Sequence, residues 1–360
     1  MNYKSFTINT LIHLVFVLFS INIAFPADAP KYSNEFLSIG VGARARGMFG
    51  SITSLCNDAT SIYWNPAGIL KSTSKYDLSL MHTEHFAGIA KYDFGGFTTP
   101  LDVRSRIGIG LIRFGADDIP NTLELVDNNM QINYDRITSF SIADYAFFMS
   151  YALKSNIENL YLGGNAKVIY RNVGSFANAW GFGLDAGLQY DSKNIKLGLM
   201  LRDVTTTFTN WSFNTVALEK WKQLDNELPE NSQEITLPKI ILGSAYSMNF
   251  SDISVLASTD LEFTTDGKRN TVVSGSLFSM DPRAGLEIGY LQMVYVRTGI
   301  GQFQYLKKFD GTKQLLPQLN AGMGVILGMI TVDYAFTDFL MPNNWQQFRS
   351  HVVSLRFNLK

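Results

Sequence analysis

From Tyr76 to Phe357 the chain keeps a period of two. Trp180, Phe182, Leu184, Ala186, Leu188 and Tyr190 alternate with Gly181, Gly183, Asp185, Gly187 and Gln189. Ile195, Leu197, Leu199 and Leu201 alternate with Lys196, Gly198, Met200 and Arg202, and Ile330, Val332, Tyr334 and Phe336 with Thr331, Asp333 and Ala335. Strict alternation over such lengths means strands with one apolar face. Three features distinguish this from a soluble sandwich. The segments reach about ten residues, the length a tilted strand needs to cross a bilayer. Aromatics such as Trp180 and Tyr190 sit at segment ends, as in interfacial girdles. The second face mixes glycine with Asp185, Lys196, Arg202, Glu262 and Glu287, which a dry core rejects and a wet lumen accepts.

The expected fold is therefore an all-β, antiparallel transmembrane barrel. About fourteen strands are expected, near 75–85, 89–99, 105–115, 140–153, 159–171, 180–191, 194–203, 239–249, 252–263, 283–291, 293–303, 319–328, 330–337 and 349–358. The even count favours reading 271–280 as a loop or turn. Tight turns such as 191–194 contrast with long connections near 116–138, 204–238 and 304–318, which belong outside the cell. The composition agrees: 360 residues carry 17% charged and 13% aromatic side chains, 29 glycines and a net charge of −1. With no basic excess, a nucleic-acid partner is not expected; the bilayer is.

Ahead of the strands, Lys4, the apolar run Leu11–Phe19 and the small residues Ala24, Ala27 and Ala29 have the pattern of an export signal. We divide the chain into a cleaved signal over 1–27, an N-terminal plug over 28–72 and a barrel over 73–360. Within the plug, glycines 40, 42, 47 and 50 permit close packing. Asp58 can cap a short helix through Trp64, and Asn65-Pro66-Ala67-Gly68 breaks it. Arg44 and Arg46 lie among small residues, which suits a plug whose arginines meet lumenal acids. Asp185 and Glu287 are the candidates.

Chemistry is harder to find. His82 and His85 are three apart on a strand and so point to opposite faces, which disfavours chelation. There is no G-x-S-x-G, and neither GIG at 108–110 nor GFG at 181–183 completes a phosphate-binding loop. Those glycines more readily make room for the plug or for curvature. Cys56, the single cysteine, has no partner for an internal disulfide. We expect no catalytic residue, cofactor or metal site.

The ordered motifs resemble the PorV/PorQ family, a Bacteroidota-type branch of the FadL-like outer-membrane barrels. GARARGMFG and NDATSIYWNPAGIL look like its N-terminal signature, with Asn65-Pro66-Ala67 matching the NPA element of FadL-like channels. HTEHFAGIAKYDFGGFTTPL, GADDIPNT, DYAFFMSYAL, GGNAKVIYRNVG, GFGLDAGLQYD, IKLGLMLRDV and LPKIILGSAYS follow in family order. Two positions depart. Met48-Phe49-Gly50 stands where a third glycine is common, and Arg202-Asp203 where asparagine often follows arginine.

The resemblance implies a bacterial outer-membrane location and a non-enzymatic role in type IX protein secretion, binding the translocon or the C-terminal domains of secreted cargo. Phe208, Trp211, Phe213 and Trp221 in the 204–238 connection would supply an aromatic contact. The FadL-like side of the resemblance implies instead a passive channel for hydrophobic small molecules. Its gate would be the plug, with Arg44, Arg46, Asn65, Pro66 and Ala67 as the residues to watch.

Overall fold

A computed structural model describes residues 33–126, 131–223, 227, 232–308, 310–337 and 349–359. The expected signal segment, 1–27, lies outside these residues. The alternation resolves into antiparallel strands that close on themselves. In chain order the strands are β1 (Tyr76–His85), β2 (Ala90–Pro100), β3 (Ser105–Asn121), β4 (Thr138–Lys154), β5 (Leu160–Val173) and β6 (Ala177–Ser192). There follow β7 (Ile195–Arg202), β8 (Thr207–Phe213), β9 (Gln233–Thr236), β10 (Lys239–Phe250), β11 (Ile253–Thr264) and β12 (Val273–Ser274). The series ends with β13 (Ser279–Tyr290), β14 (Val294–Lys307), β15 (Lys313–Leu327), β16 (Ile330–Phe336) and β17 (His351–Leu359).

Fourteen of these form the barrel: β1–β7, β10, β11 and β13–β17. Each pairs with the next, and β1 returns to β17 from Tyr76↔Leu359 to Glu84↔His351, so no edge is left. The fourteen expected strands correspond one to one with these. No helix among the described residues is long and apolar enough to cross a membrane; the strands do the crossing.

Pleating sends alternate residues to opposite sides. Ile107, Ile109 and Leu111 of β3 face outward and are exposed, as are Trp180 and Phe182 of β6 at 58% and 55%. Leu286, Ile288, Val294 and Val296 continue this apolar belt around β13 and β14. Inward, Lys167, Asp185, Glu287 and Arg297 are all buried.

Connections alternate in length. The end that holds 101–104, 155–159, 193–194, 251–252, 291–293 and 328–329 has short turns, while the other holds 203–238 and 265–278. By the habit of such barrels the long-loop end faces outward from the cell. Two expectations about these loops need correction. The 204–238 connection is not plain loop: β8 pairs with β6, β9 pairs with β8, and a short helix runs Glu219–Gln223. The 304–318 connection is mostly strand, because β14 and β15 stay paired out to Lys307↔Lys313. The 271–280 segment is largely turn: Val273–Ser274 pair onto β13, and Ser279 and Met280 already belong to it.

Candidate functional site

The described part of the plug, residues 33–72, fills the lumen. Its short elements are a 3₁₀ turn at Glu35–Ser38, a helix at Ala43–Gly47, a helix at Ser61–Trp64 and a 3₁₀ turn at Pro66–Lys71. Val41, Ala43, Met48, Ile52, Ile62 and Ile69 are fully or almost fully buried. Glycines of β3 receive it, since a Cβ on Gly108 or Gly110 would come within 3.1 Å or 2.9 Å of Ile62. Gly181 and Gly183 do not meet the plug: Cβ atoms there would strike Thr209 and Thr207 of β8 in the wall itself.

One side of the plug is held by charge beside close packing, since a Cβ on Gly299 of β14 would come within 2.2 Å of Met48 backbone. Arg44 grips Glu287 of β13 through two bonds of 2.9 Å. Glu287 also accepts from Arg297 of β14 at 2.6 Å, and Arg297 reaches Asp333 of β16 at 2.6 Å. Nearby, Arg356 of β17 donates to Asp58 at 2.9 Å, while the other Asp58 oxygen accepts from the Thr60 amide and hydroxyl. Three cations and three carboxylates thus alternate across plug and wall, the pairing that buried charges require. Burial opposes the charge on Asp58, yet Arg356 and the Thr60 donors hold its carboxyl below the usual range. Asp58 does make the turn ahead of the Ser61–Trp64 helix, and its partner Arg356 was not foreseen.

Asp185 does not meet a plug arginine. It takes Lys167 at 2.8 Å, and Lys167 also reaches Asp203 at 2.7 Å. The reason is register: Lys167 and Asp185 are inward neighbours on β5 and β6, closer to each other than either is to the plug's arginines. Arg46 instead donates to the Ile39 carbonyl, folding the chain entry over the helix.

The opposite side is held mostly through backbone, with one ion pair from Lys71 to Asp191 of β6 at 3.0 Å. Asn65 ends one helix and caps the next turn, accepting from the Ala67 amide through Oδ1. Its Nδ2 lies 3.0 Å from the carbonyls of Thr53 and Leu188 and 3.3 Å from that of Leu199. Leu188 and Leu199 face each other across β6 and β7, so Asn65 sits on the seam between two wall strands. Gln189 adds bonds to the Thr53 and Cys56 carbonyls. Pro66 and Ala67 press on Gly163, where a Cβ would come within 2.4 Å of plug backbone; at Gly187 it would come within 2.1 Å of Asn65 Oδ1. Cys56 is sealed in this seam, and burial pushes its thiol up to about 12.

Beside that seam the wall is interrupted. β6 pairs with β7 from Ala186 and with β8 up to Phe182, leaving Gly183–Asp185 opposite the excursion 203–206. Asp203 and Thr206 there have left-handed φ of 54° and 61°. One ladder-type bond remains, from the Val204 amide to the Leu184 carbonyl at 2.9 Å. On the lumen side Lys167, Asp185 and Asp203 close the interruption, with the Thr207 hydroxyl donating to Asp203. On the lipid side lies an apolar groove of about 580 Å³ lined by Val168, Trp180, Phe182, Leu184 and Phe208.

The aromatic residues expected to form one contact are divided. In β8, Phe208 points outward into the groove, while Trp211 and Phe213 stack at 6.1 Å on the inner side, with Arg171 over Trp211 at 5.0 Å. Trp221 is exposed on its own helix. A strand separates residues three apart onto opposite faces, and a loop reading could not anticipate that. His82 and His85 also part: His82 faces outward at 2.6 Å from Asp93, and His85 meets Ser350.

No protein-family model matches the chain, and no curated protein matches it. Solved structures do. The toluene transporter TbuX of Ralstonia pickettii superposes with a TM-score of 0.52 at 13% identity, over 89% of this chain and 99% of that one. The toluene transporter TodX of Pseudomonas putida gives 0.53 at 13%, over 88% and 96%. A FadL homologue of Pseudomonas aeruginosa gives 0.50 at 11%, over 89% and 98%. The chain thus has the fold of the FadL-type outer-membrane barrels, and its own fourteen strands surround the plug. This is the fold of a bacterial outer-membrane protein, and the apolar belt fits that location.

Proposed function

We propose that the protein is a non-enzymatic, passive channel for small hydrophobic molecules, gated by its plug. The observation that carries this is the interrupted wall. Over 183–185 the barrel is closed by a side-chain latch and one backbone bond, and an apolar groove lies directly outside. Hydrophobic solutes partition into apolar surface without specific bonds, and the groove offers them a route between lumen and outer leaflet. The lumen side now has only about 30 Å³ of space among Tyr63, Phe148, Lys167, Arg202 and Asp203, enough for about one water. The structure is therefore the closed form, and opening needs the plug to carry Tyr63 away from the wall. The neighbours named as hydrocarbon transporters support this reading over the secretion role. A secretion partner would need a continuous contact surface, and Phe208 and Trp211 face opposite ways.

A staple across the interruption tests it. A Cβ at Gly183 would lie 3.2 Å from Thr207 Cβ, close to disulfide range. With Cys56→Ala to remove the native thiol, Gly183→Cys with Thr207→Cys should block toluene entry into proteoliposomes when oxidised and restore it when reduced. Equal entry in both states removes the lateral route.

A further inference from the structure

A second cavity, of about 280 Å³, lies above the plug toward the long loops, where Asn270 and Thr271 border it. Two of its lining residues have backbones that side chains seldom adopt. Phe49 has φ of 55°, and its ring packs on Gly301 of β14, where a Cβ would come within 2.4 Å of it. Gln302 has φ of 49° at a bulge that shifts the β14–β15 register between Gly301 and Gln304. Inward-facing residues below the bulge are odd-numbered, as Arg297 and Gly299 are. Above it the parity changes, and Gln302 and Gln304 both turn into the cavity. Strained conformations at two neighbouring positions, both lining one cavity, mark a built surface.

The chemistry of that surface is specific. Its charges are matched: Arg283 with Glu262, and Arg269 with Asp266 and Glu35. Lys239 lies 3.7 Å from Glu262. With Arg46 and Asp281, which also line it, and with Asp266 included, four cations meet four carboxylates around the cavity, so it carries no net charge. Gln302, Gln304 and Gln318 add amides, each both donor and acceptor. A hydrocarbon here would strip water from these groups and return no bonds.

We propose that this cavity binds a small, neutral, hydroxyl-rich solute, a saccharide, which stacks on Phe49 and bonds to Gln302, Gln304 and Gln318. Hydroxyls, like amides, donate and accept, and a sugar ring has an apolar face for an aromatic one. The site is separate from the lipid-side groove and does not depend on the channel reading.

The test is calorimetric titration of the full chain in a zwitterionic, sugar-free detergent with glucose, maltose and N-acetylglucosamine, against glycylglycine and toluene. At least one sugar should bind saturably, with Kd on the order of 1 mM. Phe49→Gly and Gln302→Gly both suit a left-handed backbone and so preserve the fold, and each should weaken binding about tenfold or more. If no sugar saturates, if only the dipeptide or toluene binds, or if both variants bind as the parent does, the proposal is overturned.

Discussion

The two sides of the plug are fastened by different mixtures of contact. Toward β13–β17 two ion pairs, Arg44 to Glu287 and Asp58 to Arg356, can part and be solvated as the plug moves, and they stand beside close packing at Gly299, where a Cβ would come within 2.2 Å of Met48 backbone. Toward β5–β7 most contacts are backbone and small groups, with Asn65, Pro66 and Ala67 lodged against Gly163 and Gly187, and one ion pair joins Lys71 to Asp191. Side-chain pairs tolerate displacement, whereas close-packed backbone does not yield by degrees. We propose the Asn65 seam as a pivot and the ion-paired side as the edge that swings. That motion would carry Tyr63, whose hydroxyl is bonded to Leu37 and Arg202, away from the wall latch.

The strongest way to break the comparison is to fill the pivot. Gly163→Val adds atoms where even a Cβ would sit 2.4 Å from plug backbone. Neither rotamer change nor side-chain movement relieves that clash, so the plug should fail to seat in an otherwise folded barrel. Trypsin should then cut after Arg44 and Arg46 in the intact protein, and bilayer conductance should rise. Protection equal to the parent's would show that the seam is soft.

Next comes the charged edge. Glu287→Gln leaves Arg44 and Arg297 without their shared carboxylate, a loss on the order of 3–5 kcal/mol for a buried pair, less in so far as Arg44 keeps contact with water. Arg44→Glu should be as damaging, by setting two carboxylates together. Combining Arg44→Glu with Glu287→Arg should recover part of the trypsin protection. No difference between the single and paired exchanges would show that the ion pair does not hold the plug.

Much of this division was legible beforehand, and its limits are physical. Period two located all fourteen wall strands, because facing is a local property of each segment. Facing and sign offered Arg44 and Arg46 to Asp185 or Glu287, and of these combinations the structure forms Arg44 with Glu287. They were not enough for Asp185, whose partner Lys167 is fixed by the register between β5 and β6. Register depends on non-local pairing that no segment encodes alone. Arg356 with Asp58 was missed for the same reason: 298 residues separate them, and only barrel closure brings β17 beside the plug. The Phe208–Trp211 division was hidden because β8 is a strand only by virtue of its pairing with β6. At the interruption, Asp203 stands where the resemblance has asparagine. It is the residue that gives Lys167 a second carboxylate.

Asn65→Ala should have a smaller effect than filling Gly163. It removes a donor from the Leu188 and Leu199 carbonyls, while Thr53 keeps Gln189, at about 1–3 kcal/mol, but it introduces no clash. Asn65→Asp should be worse than alanine, since a carboxylate would face those same carbonyl oxygens. Thermal melts of the two variants check that order, and a reversed order would move the pivot away from Asn65.

The mildest test sharpens the charged edge through pH. Asp58 faces Arg356, Thr60, Arg44 and Asp77, and its folded pKa lies below the unfolded value of about 3.9. A lowered pKa means that the contribution is complete above the unfolded value and is lost as pH falls through the folded one. Single-channel conductance should therefore be flat from about pH 8 to pH 5 and rise only below about pH 4. In Asp58→Asn the Arg356 contact is already weakened, so part of that rise should be present at neutral pH. Gly163→Val, which acts at the pivot, should raise conductance without this pH step. If Asp58→Asn and the parent share one profile, Arg356 is not part of the moving edge, and Arg44 alone carries the charged side.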